Sequence, residues 1–224
     1  MKRRNRPLAL VGLFFTLVFF TGCFQYSQKI TLRSDGSGSL SISYSVPKGK
    51  LLELNDPRFP TQPFEIREVI RKNYTSEVVH LDTLFVDSRS DLVRVYARFS
   101  FRHLQDLNRL PRFRNEEYKF SLHEKDAVFN QIIHLSQRDW IEASTLYETG
   151  IKLAFRSELS RKIKLRFAVE MPFPIDSTNA LYQTGKRTAV WRFRLSDLLA
   201  RGTTHLAAVC AQSGRGNVPK YHRK

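Results

Sequence analysis

Apolar and polar residues alternate with period two over much of this chain. Ile30 and Leu32 alternate with Thr31 and Arg33. Ser34 to Gly38 supplies turn residues. Leu40, Ile42, Tyr44 and Val46 then alternate with Ser39, Ser41, Ser43 and Ser45. Strict alternation on both sides of a Gly-rich turn predicts a β-hairpin with one buried face. Gly36 and Gly38 can take the positive φ that such a turn needs. Pro47 ends the hairpin and most of 48–62 reads as loop. Pro63 opens a helix whose apolar stripe is Phe64, Ile66, Val69 and Ile70, with Asn73 as its stop.

A second strand pair follows. Val79, Leu81 and Phe85 share one face over 78–86, and Val93, Val95, Ala97, Phe99 and Phe101 share one face of the next strand. Leu104, Leu107 and Leu110 fall three apart, which predicts a short helix from His103 that Pro111 stops. Further strands are expected at 117–123, 127–135, 162–170, 187–194 and 204–211, with a helical turn from Ser196 to Ala200 capped by Ser196. Residues 150–157 read as a further strand, and 137–147 around Trp140 as a helix or irregular insertion. The predicted fold class is α+β, a mainly antiparallel β-sheet with two or three short helices packed on one face.

The first 22 residues have a different pattern. Lys2, Arg3, Arg4 and Arg6 precede an apolar or small-residue run from Leu8 to Phe20, and no acid occurs before Cys23. This is the layout of a secretory signal. As a helix the run spans roughly 20 Å, short of a bilayer core of about 30 Å. Phe20-Thr21-Gly22-Cys23 resembles the lipobox of bacterial lipoproteins, with Phe in place of the usual Leu. That resemblance implies a diacylglyceryl group on Cys23, cleavage before it and attachment to a membrane through lipid. Two acyl chains suffice for stable anchoring. Phe24, not Asp, follows the cysteine, which in bacteria with the enterobacterial sorting rule resembles an outer-membrane lipoprotein. The expected organisation is therefore a signal peptide at 1–22, a single domain at 23–212 and a basic disordered tail at 213–224.

Composition narrows the function. The formal net charge of the 224-residue chain is +16, and loss of the four basic leader residues leaves +12. A basic excess often marks nucleic-acid binding. An exported protein meets lipid or glycolipid headgroups or acidic protein surfaces instead. Of the two cysteines, Cys23 is taken by lipid, and Cys210 lies in the apolar run 206–211 as a buried hydrophobe. No His-Glu-x-x-His, Cys-x-x-Cys or Gly-x-Ser-x-Gly pattern occurs. His123, Glu124 and Asp126 read as a solvated turn. The expectation is a non-catalytic protein without cofactor or metal.

One polar pattern carries functional promise. Arg94, Arg98, Lys162, Lys164, Arg166, Arg192 and Arg194 all lie opposite the apolar positions of their strands, and Tyr96 shares a face with Arg94 and Arg98. Arginine forks match phosphate oxygens. If these strands are neighbours, the face is a candidate site for anionic lipid or glycolipid. If acids such as Glu117 or Asp82 lie beside it, it is neutralised. The alternative function is a scaffold for another envelope protein, with an apolar patch around Trp140.

Three stretches carry a family resemblance. They are the strand and turn Ile30-Thr31-Leu32-Arg33-Ser34-Asp35-Gly36-Ser37-Gly38, then Phe99-Ser100-Phe101 leading to Leu104 and Leu107, and then Phe167 to Asn179 followed by Thr188-Ala189-Val190-Trp191. In this order they resemble the LppM-like domain of bacterial envelope lipoproteins over most of 25–212. The family's Pro-Gly turn is here Met171-Pro172-Phe173-Pro174, and the transmembrane helix that ends many relatives is not in this sequence. The resemblance implies an α+β domain that binds lipid or glycolipid, without enzymatic activity.

Overall fold

The predicted hairpin forms β1 (Gln25–Leu32) and β2 (Gly38–Pro47), paired antiparallel from Gln25 opposite Ser45 to Leu32 opposite Gly38. Asp35 closes the turn by accepting hydrogen bonds from Ser37 N (2.9 Å) and Ser37 Oγ (2.7 Å). Gly36 has a φ of +83°. Gly38 does not need positive φ; it needs space, because a Cβ there would run into the Thr31 carbonyl and lie 2.9 Å from the Phe101 ring. The computed structural model describes residues 25–47, 63–89, 91–124, 126–135 and 160–211. Cys23 and the leader, the 48–62 loop, the expected strand at 150–157, the segment around Trp140 and the tail from 213 lie outside the described residues.

Eleven described strands form two sheets. A seven-stranded sheet has the order β3-β4-β2-β1-β7-β10-β9, and a four-stranded sheet has the order β5-β6-β11-β8. The first holds β3 (Val79–Asp87), β4 (Leu92–Phe101), β7 (Lys164–Glu170), β9 (Tyr182–Thr184) and β10 (Thr188–Arg194) beside the hairpin. The second holds β5 (Glu116–Leu122), β6 (Asp126–Leu135), β8 (Ile175–Thr178) and β11 (Gly202–Ala211). Among the described pairings β1 with β7 is parallel and the others are antiparallel. With α1 (Pro63–Tyr74), α2 (Leu195–Arg201) and two short 3-10 turns, this is an α+β fold.

The inner faces of the sheets share one core. Ile30, Leu40, Ile42, Phe99 and Val169 come from the large sheet, and Phe129, Leu206, Ala208 and Cys210 from the small one. α1 lays Ile66, Ile70 and Tyr74, four apart, on that core, with Tyr74 stacked on Phe99 at 5.4 Å. Asn179 ties the sheets together. Its Oδ1 accepts from Trp191 Nε1 on β10 and from Ala207 N on β11, both at 2.9 Å, and its Nδ2 donates to the His205 carbonyl. The Asn and Trp of the third sequence motif are thus a joint between sheets.

Four expectations change. The helix after His103 is a 3-10 turn, Leu104–Arg109, as the spacing of three between leucines fits better than an α-helix does. α2 begins at Leu195, so Ser196 is not its cap; Asp197 Oδ2 accepts from Arg194 N instead. The 162–170 strand begins at Lys164, and Lys162 sits in a helical turn before it. In β3 the register shifts between Leu81 and Thr83, so Leu84 and Val86 turn inward and Phe85, expected on the core face, is 53% exposed.

Candidate functional site

The outer face of the large sheet builds the site. Cross-strand registers align two rows of outward side chains. One runs Phe85, Tyr96, Ser43, Ser27, Arg166 and Arg192. The next runs Asp87, Arg94, Ser45, Gln25, Lys164 and Arg194. Between the rows lies a trough of about 860 Å³ lined by residues of both. Tyr26, Tyr44, Val95, Leu165 and Phe193, the middle residue of each strand's lining triplet, alternate inward and leave their backbone as its floor.

The trough is concave because its two central strands carry small residues there. Serine supplies Ser43 and Ser45 on β2 and Ser27 on β1, while the flanking strands carry long basic and aromatic side chains. β4 and β7 are three strand spacings apart, roughly 14 Å at about 4.8 Å each. β7 and β10 are neighbours, but β4 is separated from them by the serine strands, so the basic face is not continuous. Arg94 stands on one wall and Lys164, Arg166, Arg192 and Arg194 on the other, with hydroxyls between. Exposed Phe85 and Tyr96 form an apolar shelf beside Arg94.

Six of the expected residues thus meet at one trough: Arg94, Tyr96, Lys164, Arg166, Arg192 and Arg194. Arg98 is on the same outer face two residues past Tyr96, outside the trough, and its Nη2 donates to Ser39 Oγ at 3.4 Å. Lys162 precedes the strand and does not line the trough. The trough also uses residues that alternation alone did not single out, Ser27, Ser43, Ser45 and Phe85. A serine at every second position of β2 was the signal for the floor; the bulge in β3 hid Phe85.

The wall cations make no close ion pair among the described residues. Among the described residues no carboxylate lies within ion-pair distance of Arg94, Lys164, Arg166, Arg192 or Arg194. Glu117 lies on the other sheet. Asp82 accepts from Ser100 Oγ at 2.8 Å, away from the trough. Asp87 accepts from Arg89 N and Nε at 3.0 and 3.2 Å, and these bonds, with Arg94 opposite it on β4, hold its carboxyl below the usual range. Asp197 lines the trough and accepts the Arg194 backbone N–H. Arg192 lies over the Tyr182 ring at 5.0 Å, which fixes its guanidinium without using its charge on an acid. The other end of this same face is different. There Lys29 Nζ and Arg187 Nη2 meet the Glu170 carboxylate at 2.7 and 3.4 Å, and the Lys29 hydrogen bond holds that carboxyl below the usual range.

No group of His, Cys, Asp and Glu able to hold a metal occurs among the described residues. His123, Glu124 and Asp126 lie in an exposed turn closed by His123 N donating to the Asp126 carbonyl. Cys210 is fully buried, and burial pushes its thiol above the ordinary range. No described helix is long and apolar enough to cross a membrane.

No family model and no curated protein matches this chain. Among solved structures it is similar to the folded domain of the LppM protein of Mycobacterium tuberculosis. That match has 12% identity and a TM-score of 0.47 over 94% of this chain and 95% of that chain. The chain is also similar to the Fcho1 mu homology domain of Danio rerio, solved with a bound Eps15 peptide, at 8% identity and a TM-score of 0.25 over 84% of this chain and 78% of that one.

Proposed function

We propose that this protein is a lipid-anchored envelope module that binds the anionic headgroup of a lipid or glycolipid in the serine-floored trough, without catalysis. One observation carries the reading: cations on both walls, with no carboxylate in ion-pair distance among the described residues, surround a concave floor of hydroxyls. Guanidinium forks and an ammonium suit phosphate oxygens. The serine hydroxyls can donate to phosphate or accept from a sugar or glycerol hydroxyl. Phe85 and Tyr96 offer apolar surface for the first methylenes of an acyl chain. Cys23 supplies the anchor, and the outer membrane is the expected site in a two-membrane cell.

The test is mass spectrometry of the protein extracted from its own membranes in mild detergent. A single class of anionic lipid is expected at one copy per chain, and it is absent from an Arg94→Glu/Arg166→Glu variant whose melting temperature matches the parent. A parent protein that carries no enriched lipid, or a variant that keeps it, would rule the reading out. A co-purifying envelope protein in place of lipid would turn the weight to a scaffold role.

A further inference from the structure

We propose that the end of the large sheet where β1 and β7 begin lies on the membrane, so that the trough opens onto the lipid surface and takes its ligand from the leaflet that holds the anchor. This inference rests on the trough as the headgroup site and on Cys23 as the lipidated residue.

The chain itself sets the geometry. Gln25 lines the trough and follows Cys23 by two residues, a reach of at most about 7 Å. A diacylglyceryl group inserted at Cys23 therefore keeps the Gln25 row, with Arg94, Lys164 and Arg194, beside the headgroups. That row is the membrane-proximal one, and the row with Arg166 and Arg192 stands about 7 Å above it. A soluble ligand would need no such orientation. A lipid does, because its headgroup must enter the trough while its chains stay in the bilayer.

Charge is distributed in the same sense. The turn between β3 and β4 is at this end and carries Arg89, whose side chain is 87% exposed. Arg161, in the helical turn before β7, is exposed at this end too. Among the described residues the acids here are few: Asp87 is engaged by Arg89, Asp197 by the Arg194 backbone, and Asp91 remains. The opposite end holds the Arg33–Gly38 turn and the Glu170 carboxylate with its two basic partners. The trough cations Arg94, Lys164 and Arg194 stand at the tethered end, where an anionic surface attracts them.

The experiment uses the full lipidated protein in phosphatidylcholine vesicles with and without phosphatidylglycerol, read by amide hydrogen exchange. With phosphatidylglycerol, exchange in the β3–β4 turn and the first turn of α2 slows several-fold, while the Arg33–Gly38 turn is unchanged. Arg89→Glu/Arg161→Glu, outside the trough, reduces that protection. Protection at the far turn, at neither end, or undiminished in the double variant would overturn the orientation, as would an N-terminal peptide without lipid on Cys23. Short-chain phosphatidylglycerol below its micelle concentration separates the two claims. If it binds and the protection lies elsewhere, the trough stands and the orientation fails; if it does not bind, the headgroup site itself fails.

Discussion

Neighbouring residues of β1 serve two polar sites with opposite designs. Tyr26 and Gln28 point inward; Gln25 and Ser27 point outward. Inside, Tyr26 Oη donates to Gln28 Oε1 at 3.1 Å, Gln28 Nε2 to Tyr118 Oη at 2.8 Å, and Tyr118 Oη to Glu116 Oε2 at 2.6 Å. Gln131 Nε2 donates to the same carboxylate at 2.8 Å, Arg112 Nη1 lies 3.7 Å from its other oxygen, and Arg112 Nε donates to Tyr74 Oη at 3.1 Å. Each donor is matched to an acceptor, and the chain of bonds joins the two sheets and α1. Outside, among the described residues, no carboxylate lies within ion-pair distance of the trough cations. Buried polar groups have to find partners within the fold, whereas exposed cations can wait in water for a ligand. Matched polarity here marks stability, and unmatched polarity marks the proposed binding site.

The sharpest way to break this comparison is to remove the centre of the inner network. Glu116→Ala leaves Arg112, Tyr118 and Gln131 without their shared acceptor. The expected loss is about 2 kcal/mol, the scale of buried hydrogen bonds left unmade at Tyr118 and Gln131, measured by denaturant unfolding. A loss under about 1 kcal/mol would mean that water replaces the carboxylate, and the network would not be a structural joint.

The two sites were unequally legible in the sequence, for a physical reason. Period-two alternation marks which residues of one strand share a face, so the hairpin, β4 and β10 could be read directly. It carries no strand order. Nothing local says that β1 pairs in parallel with β7 across more than a hundred residues, and that pairing is what sets Ser27 beside Arg166. The basic residues were therefore visible, while the serine strands that hold them apart were not. Gln28 and Gln131 are polar residues on inward positions, so alternation by polarity passes them over. The Leu81–Thr83 register shift is likewise silent in sequence, and it alone brings Phe85 to the trough.

The next effect is smaller and depends on pH. Burial pushes the Tyr26 and Tyr118 phenols well above the ordinary range, and nearby Glu116 adds to the rise at both. Their folded-state values exceed the unfolded value of about 10. Their contribution to stability is therefore full below pH ~10 and is lost as pH rises from there through the folded values, where the unfolded chain binds fewer protons. Melting temperature should fall steeply above pH ~10. Tyr118→Phe should cost about 1 kcal/mol at neutral pH through its lost hydrogen bonds and flatten the alkaline fall. An unchanged alkaline slope in that variant would show that another group governs it.

The smallest expected change in stability is the most informative about the trough. Arg166 shares its wall with Lys164, Arg192 and Arg194, and no described carboxylate is close enough to repay their repulsion. Arg166→Gln should therefore move ligand-free stability by no more than about 0.5 kcal/mol, and upward, since a like charge is removed. With anionic lipid the order reverses. A ligand that binds only the folded state stabilises it in proportion to the logarithm of its concentration over its dissociation constant, so the parent gains and the variant gains less. Thermal melts of both proteins with and without phosphatidylglycerol measure the two quantities together. A variant that is less stable without lipid would show that Arg166 already has a structural task, and the contrast between a matched interior and an unmatched trough would fail at that residue. A rise without lipid and a smaller gain with it would show that folding does not need this charge and that binding does.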